Sequence, residues 1–443
     1  MNWKFVRLLL VFFAVTPTLI LVGHAQQTQS QQPTQREMRA KWKSWHETMK
    51  RTPKPEKSGC FKASYPDTSW HQATCKVAPP VPYPPAKDTH SSAVGTVGGA
   101  HAYTVGDGTD DTASVTGTLS SATGSFPLVS GLSSASAYSL QLNSEFFTTS
   151  VCDGAAVPSA CQGWQQFLYT SSPSETFMQY WLLDWGTTCP SGWYTYSSDC
   201  YKNSSATDVA APELANWAYL ELVGGSTSST DEVTFYPGAG DVSATGEDSV
   251  LNLEDVWNQA EFNVFGNGSG SEVTFNSGAT FAVETSLVNG TTTKPACEST
   301  GFTGETNNLS LVGSCCPYAG STYVSPNIQF LESSNSAATE SCGAGGLVSN
   351  VTAVPSSSGT YSSSGGEYPT VTFTETLTDS TPGAEIYWTV SGCSGSTSGS
   401  DPVSSGGSFT LVYESEYDCN PSGTMYATES GYIASPVTSI DFP

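Results

Sequence analysis

Acid–base or polarising chemistry in the body of this chain has to come from carboxylates, amides, Tyr and Trp, because the other catalytic side chains are missing there. No His follows His101, no Arg follows Arg51, and Lys202 and Lys294 are the only lysines after Lys87. Ser-His-Asp and Cys-His relays and HExxH zinc sites are thereby excluded from residues 102–443. The DTG and DSG signatures of paired-aspartate sites do not occur, nor does an ExDxxE run or a CxxC zinc pattern.

What remains is Glu and Gln on strand-like segments. In CQGWQQFLY, alternate side chains of an extended chain share a face, so Gln162, Trp164 and Gln166 point one way while Cys161, Gln165, Phe167 and Tyr169 point the other. The same alternation groups Gln179, Trp181, Leu183 and Trp185 in TFMQYWLLDW, and in EFNVFG it sets Glu261 and Asn263 opposite Phe262 and Val264. A groove lined by Gln162, Trp164, Gln166, Gln179, Trp181 and Glu261 suits a peptide or a glycan. A carboxylate near its usual pKa of about 4.3 stays available as a base down to roughly pH 4. A Gln amide can donate to a developing oxyanion without titrating. The catalytic candidates are therefore Glu261, Gln162 and Gln166, and the substrate-binding candidates Trp164, Gln179 and Trp181, with no metal and no cofactor.

The elements that must position these residues are strands. AYSLQLNSEFF (137–147), GWQQFLY (163–169), TFMQYWLLDW (176–185), AYLELVG (218–224), EVTFY (232–236), EFNVFG (261–266), EVTFNSG (272–278), TFAVETSL (280–287) and LSLVG (309–313) are rich in aromatic and β-branched residues and are separated by Gly, Asn, Ser and Asp clusters. Only 207–218 and 251–260 have room for a helical turn. The expectation is an all-β chain, with a large antiparallel β-sandwich over 91–346 followed by a small immunoglobulin-like β-sandwich over 347–443.

The N-terminal fifth differs in charge. Thirteen of the 15 Lys and Arg lie in residues 1–87 beside four acids, whereas residues 88–443 carry two lysines against 36 acids. A body this acidic cannot neutralise phosphates, so nucleic acid and nucleotides are excluded as partners. Residues 1–25, with Lys4 and Arg7 before an apolar run and Gly23-His24-Ala25 after it, have the pattern of a cleaved secretory signal, which leaves no stable membrane insertion. Residues 26–57 form a basic pro-like segment. Within it Met38, Trp42, Trp45 and Met49 share one face of a predicted helix over Arg36 to Arg51, and the acidic body is expected to draw that helix over any acidic groove at neutral pH. Residues 58–90 are a Cys/Pro-rich connector whose PPVPYPP run is expected to be exposed and extended.

Twelve Cys fit a secreted, extracellular protein. Spacing favours Cys60 with Cys75, Cys152 with Cys161, Cys189 with Cys200, and Cys393 with Cys419. Cys297, Cys315, Cys316 and Cys342 would form two further bonds whose pairing spacing leaves open. DGTDD (107–111) has clustered carboxylates that can hold calcium, but it lacks the Gly and distal Glu of an EF-hand loop and reads first as an acidic turn. Sequons begin at Asn203, Asn267, Asn289, Asn308 and Asn350.

Two resemblances add to this. GWQQFLY followed by FMQYW and a Cys-rich loop, together with AEFNVFG (260–266) followed by EVTFNSG, resembles the glutamic peptidases of the eqolisin and neprosin groups. The resemblance implies a double sandwich in which a Glu acts as general base on water, opposed by a Gln or Glu that polarises the carbonyl. Glu261 matches the Glu of that block, whereas the family's other position, two residues before the Gly, is Cys161 here. The second is in DSTPGAEIYWT (379–389) and ATESGYIASPV (427–437), which resemble the immunoglobulin-like module at the C-terminus of chitobiases and β-hexosaminidases, an accessory domain without catalytic residues. The expected function is a secreted acid-acting hydrolase, a glutamic-type endopeptidase made as a precursor, acting on an extracellular protein or polysaccharide. The alternative is a non-catalytic glycan-binding or adhesion protein, with Trp164, Trp181, Trp185 and Trp193 as a stacking platform. The bland reading of the same residues is a solvated Gln face, an exposed Glu at a strand start and core tryptophans.

Overall fold

The computed structural model describes residues 35–55, 58–86, 105–320 and 325–334, together with the backbone of short strands between Val351 and Asp441. The signal-like residues 1–25, Cys342, Cys393 and Cys419 lie outside the described residues. The chain is all-β, as its strand-like segments predict, and its body is two large sheets packed face to face.

The first sheet has nine strands, β1 (Cys60–Ser64), β2 (His71–Ala73), β6 (Ser121–Ser130), β13 (Glu221–Thr227), β14 (Thr230–Tyr236), β15 (Gly240–Gly246), β18 (Thr280–Val288), β21 (Ser310–Tyr318) and β22 (Asn327–Ser333). Their order is β2-β1-β15-β14-β13-β6-β18-β22-β21, antiparallel throughout. The second sheet has ten strands. Its centre is β9 (Ser174–Leu183), β8 (Gln162–Ser171), β7 (Tyr138–Ser144) and β16 (Gln259–Gly266), paired in that order. Flanking these are β10 (Tyr194–Tyr196) and β11 (Asp199–Asn203) on one side, and β5 (Thr112–Ser114) and β19 (Ala296–Glu298) on the other. Two short strands, β3 (Lys76–Val77) and β12 (Ser205–Asp208), attach beside β9. A small sheet of β4 (Val105–Gly106), β20 (Thr306–Asn307) and β17 (Glu272–Val273) completes the body, so EVTFNSG is a strand over two residues only.

Alternation explains which residues meet between the sheets. Leu140 and Leu142 of β7, Phe167 and Tyr169 of β8, Phe262 and Val264 of β16 face Phe126, Leu222, Val233, Phe235 and Phe281 of the other sheet, all buried. Gln165, on the same inward face as Phe167, donates there to Asp231 at 3.0 Å. The central strands of the second sheet are nonetheless buried at almost every position, which requires a cover on their outer face as well.

Four disulfides brace the body, Cys60–Cys75, Cys152–Cys161, Cys189–Cys200 and Cys297–Cys315, an arrangement that persists in oxidising surroundings. Cys316 is also disulfide-bonded. In the C-terminal region, Val351–Ala353, Phe373–Glu375 and Ser408–Phe409 form a three-stranded sheet. Gly395–Pro402, Glu385–Gly392, Ser422–Thr428 and Thr438–Asp441 form a four-stranded one.

Two expectations about the N-terminal region need correction. A helix, α1 (Gln35–Arg51), does form and does lie on the acidic body, but on the outer face of the nine-stranded sheet. There Trp45 and Met49 pack with Phe61, Ala63, Trp70 and Tyr236. His46 approaches Asp241 at 3.2 Å, Lys50 approaches Glu221 at 2.5 Å, and Lys54 pairs with Glu232. Apolar matching thus fixes the docking site and charge merely accompanies it. Residues 58–86, in turn, are part of the body rather than a connector. β1 pairs with β15 over five residues, and the PPVPYPP run lies against the outer face of the ten-stranded sheet with Tyr83 and Pro84 buried. Proline removes backbone donors but not acceptors, so such a run can be held through its carbonyls.

Candidate functional site

The outer face of the ten-stranded sheet carries a transverse row of polar residues from six adjacent strands. Strand register sets Asn203 opposite Gln179, Gln179 opposite Gln166, Gln166 opposite Asn143, Asn143 opposite Glu261, and Glu261 opposite Thr112. At about 4.8 Å between strands, Gln166 and Glu261 stand roughly 10 Å apart with Asn143 between them. The neighbouring rows are Tyr201–Trp181–Trp164 on one side and Phe177–Leu168–Gln141–Asn263 on the other.

Hydrogen bonds join these rows into one network. The Asn143 amide donates to Glu261 Oε2 at 2.7 Å, and the Phe302 backbone N–H donates to the same oxygen at 3.1 Å. Gln166 Nε2 donates to Gln141 Oε1 at 3.1 Å, while Gln166 Oε1 accepts from Trp181 Nε1 at 3.0 Å. Gln141 also bonds to Glu305, which accepts from Thr303 Oγ1 at 2.6 Å and from the Gly270 N–H at 3.2 Å. Gln141 and Asn143 therefore stand between two carboxyl groups, Glu261 and Glu305.

Of the residues singled out in the sequence, the structure brings Glu261, Gln166, Gln179, Trp164 and Trp181 onto one face. Gln162 shares that face but begins its strand, four residues or about 13 Å from the row, and is partly exposed. Trp164 and Trp181 are fully buried, and their Nε1 groups are used internally, by the Ser144 carbonyl and by Gln166 and Gln179. They do not offer an open stacking surface. Gln141, Asn143 and Glu305 are missed by the sequence reading. The polar Ser139, Gln141 and Asn143 alternating with Leu140 and Leu142 is the signal for the first two. Glu305 arrives from the segment before β20, which no local pattern links to the sheet.

Both carboxyls are shut away from water. Glu261 and Glu305 are 0% exposed, and burial pushes them up to about 7 and about 8 against the hydrogen bonds that favour the charged form. Glu332, also buried, is pushed up to about 8, and Asp110 is raised by burial and then by the nearby charges of Glu261 and Glu332. Asn263 donates to both Asp110 oxygens at 3.3 Å and to Glu332 at 3.2 Å. A donor amide among these three acids makes a proton-holding cluster, not a cation cage. Residues 107–111 accordingly form a tight turn, closed by paired bonds between Gly106 and Thr109. Among the described residues the one metal-like grouping is Asp111 with Cys297 and Cys315, and that cysteine pair is a disulfide.

The cover over this face has two parts: residues 301–305, whose Phe302 bonds Glu261 and clusters with Trp164 and Trp181, and the chain's own strap, Ala78 to Ala86. Gln179 brackets it from below, donating to the Val81 carbonyl at 2.9 Å and accepting from the Tyr83 N–H at 2.7 Å. Asn203 donates to the Pro79 carbonyl at 2.7 Å and Tyr201 to the Pro80 carbonyl at 3.0 Å. Ser269 N–H donates to the Pro82 carbonyl, Gly304 N–H to the Pro84 carbonyl, and Ala86 N–H to the Phe302 carbonyl. A proline-rich stretch of polypeptide, turned once where the Val81 N–H donates to the Pro79 carbonyl, thus lies over Gln179 and Asn203 of the amide row, read through its backbone.

The fold and site together define a disulfide-braced all-β protein with a covered carboxyl–amide face. Comparisons of the chain with protein-family models, with curated proteins and with solved structures find no match.

Proposed function

We propose that this chain is the closed precursor of an exported, acid-acting endopeptidase of glutamic type, with the outer face of the ten-stranded sheet as its cleft. Glu261 is the base that takes a proton from the attacking water as the new C–O bond forms. Gln166 polarises the peptide carbonyl by donating to its oxygen as charge develops there. Glu305, in its protonated form, returns a proton to the amine as the C–N bond breaks. The strap occupies the cleft in a substrate's place, and its departure, with residues 301–305 displaced from Glu261, admits water, which lets Glu261 fall back towards the ordinary carboxylate range and serve as a base in acid.

The observation that carries this reading is the bracketing of the strap by Gln179, with one bond to a peptide carbonyl and one from a peptide N–H two residues on. That is recognition of polypeptide backbone, and the buried state of Trp164 and Trp181 weighs against a glycan platform built from them. The test is cleavage of a denatured protein at pH 3.5–5 by the secreted chain after removal of its N-terminal segment. Activity that disappears in Glu261→Gln and in Glu305→Gln, with near-UV circular dichroism unchanged, is the expected outcome. Full activity in Glu261→Gln would end the proposal.

A further inference from the structure

The strap fills one opening on the sheet with a side chain as well as with backbone. Tyr83 is 1% exposed and packs with Ala78, Leu168, Phe177 and Ala206. Its ring meets Phe177 edge-on with centroids 6.3 Å apart. Leu168 and Phe177 are cross-strand partners on the outer face, an apolar pair one row from Gln166 and Gln179 and on the opposite side of that row from Trp164 and Trp181. The opposite wall is bare backbone. A Cβ on Gly268 would come within 2.4 Å of Val81 Cγ1 and 3.3 Å of Tyr83 Cζ, so the missing side chain is what leaves room for the ring. The rim carries acids, since the charges of both Glu305 and Glu175 act on the phenol.

We infer that Leu168, Phe177 and Gly268 form a side-chain subsite selecting an aromatic residue, foremost Tyr, in an extended polypeptide whose backbone Gln179 brackets. The inference rests on the strap's lying where a substrate peptide lies. A ring fits between a flat aromatic, a branched aliphatic and a glycine, whereas a lysine or an aspartate would bring a charge into a site closed to water. When the strap leaves, Leu168 and Phe177 are left as an exposed apolar pair, and a ring from another chain restores their contact.

The test uses the full chain carrying Tyr83→Ala, which loosens the strap, and fluorescein-labelled peptides Val-Pro-Tyr-Pro-Pro and its Tyr→Phe, Tyr→Ala and Tyr→Lys forms. Binding is read by fluorescence anisotropy at pH 4.5. The Tyr and Phe peptides should bind within a few-fold of each other, and the Ala and Lys forms about 10- to 100-fold more weakly, the range expected for a buried ring. Equal affinity for the Tyr and Ala peptides, or no binding of any of them at millimolar concentration, overturns the subsite. In the otherwise unaltered chain, Tyr83→Phe should leave amide exchange of residues 79–86 nearly unchanged, and Gly268→Ala should accelerate it at least tenfold; the reverse order also overturns it. Because binding is read without turnover, a chain that prefers the Tyr peptide but never cuts protein keeps the subsite and loses the peptidase reading. Acid proteolysis with no aromatic preference does the opposite.

Discussion

Replacing Glu305 by Gln should flatten the pH dependence of this protein's stability. Glu305 is fully buried, and its carboxyl is pushed from 4.5 to about 8, chiefly by burial. A carboxyl that is raised in the folded state binds its proton more tightly there than in the unfolded chain. Its stabilising share is complete below about pH 4.5 and is lost as pH rises through 8. At roughly 1.4 kcal/mol per pH unit over that interval, the loss approaches 5 kcal/mol at most, with relaxation and water entry reducing it. Gln keeps the shape and cannot ionise. Its oxygen can accept from the Gly270 N–H while its NH2 faces Thr303 Oγ1, whose hydroxyl turns to accept. The assay is urea unfolding of wild type and variant from pH 4.5 to 8.5, followed by Trp fluorescence. Only one of the 11 tryptophans, Trp388, lies beyond residue 346, so the signal reports the body. The two proteins should match within about 1 kcal/mol at pH 4.5, and the variant should be the more stable by about 3–5 kcal/mol at pH 8. Glu261 and Glu332 tilt both curves alike, so the difference between the curves is diagnostic. Curves that stay parallel across the range would refute the buried, neutral state of Glu305.

Three other outcomes are expected. Cys161→Ser, which opens the Cys152–Cys161 loop beside the start of β8, should cost about 2–3 kcal/mol and lower the melting temperature under non-reducing conditions, with no change once both proteins are reduced. Gly124→Ala should cost at least 1–3 kcal/mol in the same melts, roughly the usual penalty for overpacking, because the added Cβ would sit 1.9 Å from the Phe262 ring across the sandwich. Adding salt at pH 7 should weaken the Lys50–Glu221 and Lys54–Glu232 pairs that accompany the docking of α1, seen as faster amide exchange over residues 45–51; protection that salt leaves unaltered rules this out.

What the sequence makes legible here is what is local. Period-two alternation places Glu261 with Asn263 and Gln166 with Trp164, and the strands form where aromatic and β-branched runs stand between turn residues. The strand order β9-β8-β7-β16 is non-local, yet it decides that Asn143 separates Gln166 from Glu261 and that Gln162 stands far from both. Strands β6, β15 and β22 escape notice because SATGSFPLVS, GDVSATG and NIQFLES are too rich in small and polar residues to look like sheet, although tertiary pairing makes them so. The proline run looks like a linker for a sound reason, since it cannot join a ladder. It is buried because side-chain amides of the neighbouring strands replace the ladder, a possibility that depends on where Gln179 and Asn203 point once the sheet exists.

Protons favour the closed state of the cover on the ten-stranded sheet. On the other outer face, α1 is held by its apolar contacts beside the Lys50–Glu221 and Lys54–Glu232 pairs. Glu261 and Glu305 hold their protons up to about 7 and 8 while residues 301–305 and the strap cover the sheet, and in an opened, hydrated cleft they would release them near the ordinary carboxylate range. By linkage the closed cleft is favoured most in acid and least above pH 8, so acid tightens the cover that blocks the amide row. Detaching α1 leaves the cleft shut, because the helix and the strap lie on opposite outer faces of the sandwich. In the acid-acting reading, then, lowering the pH cannot by itself open the site. The strap has to be severed and lost and residues 301–305 displaced with it, after which water reaches Glu261 and the same acidity that kept the cleft closed becomes the condition in which it works.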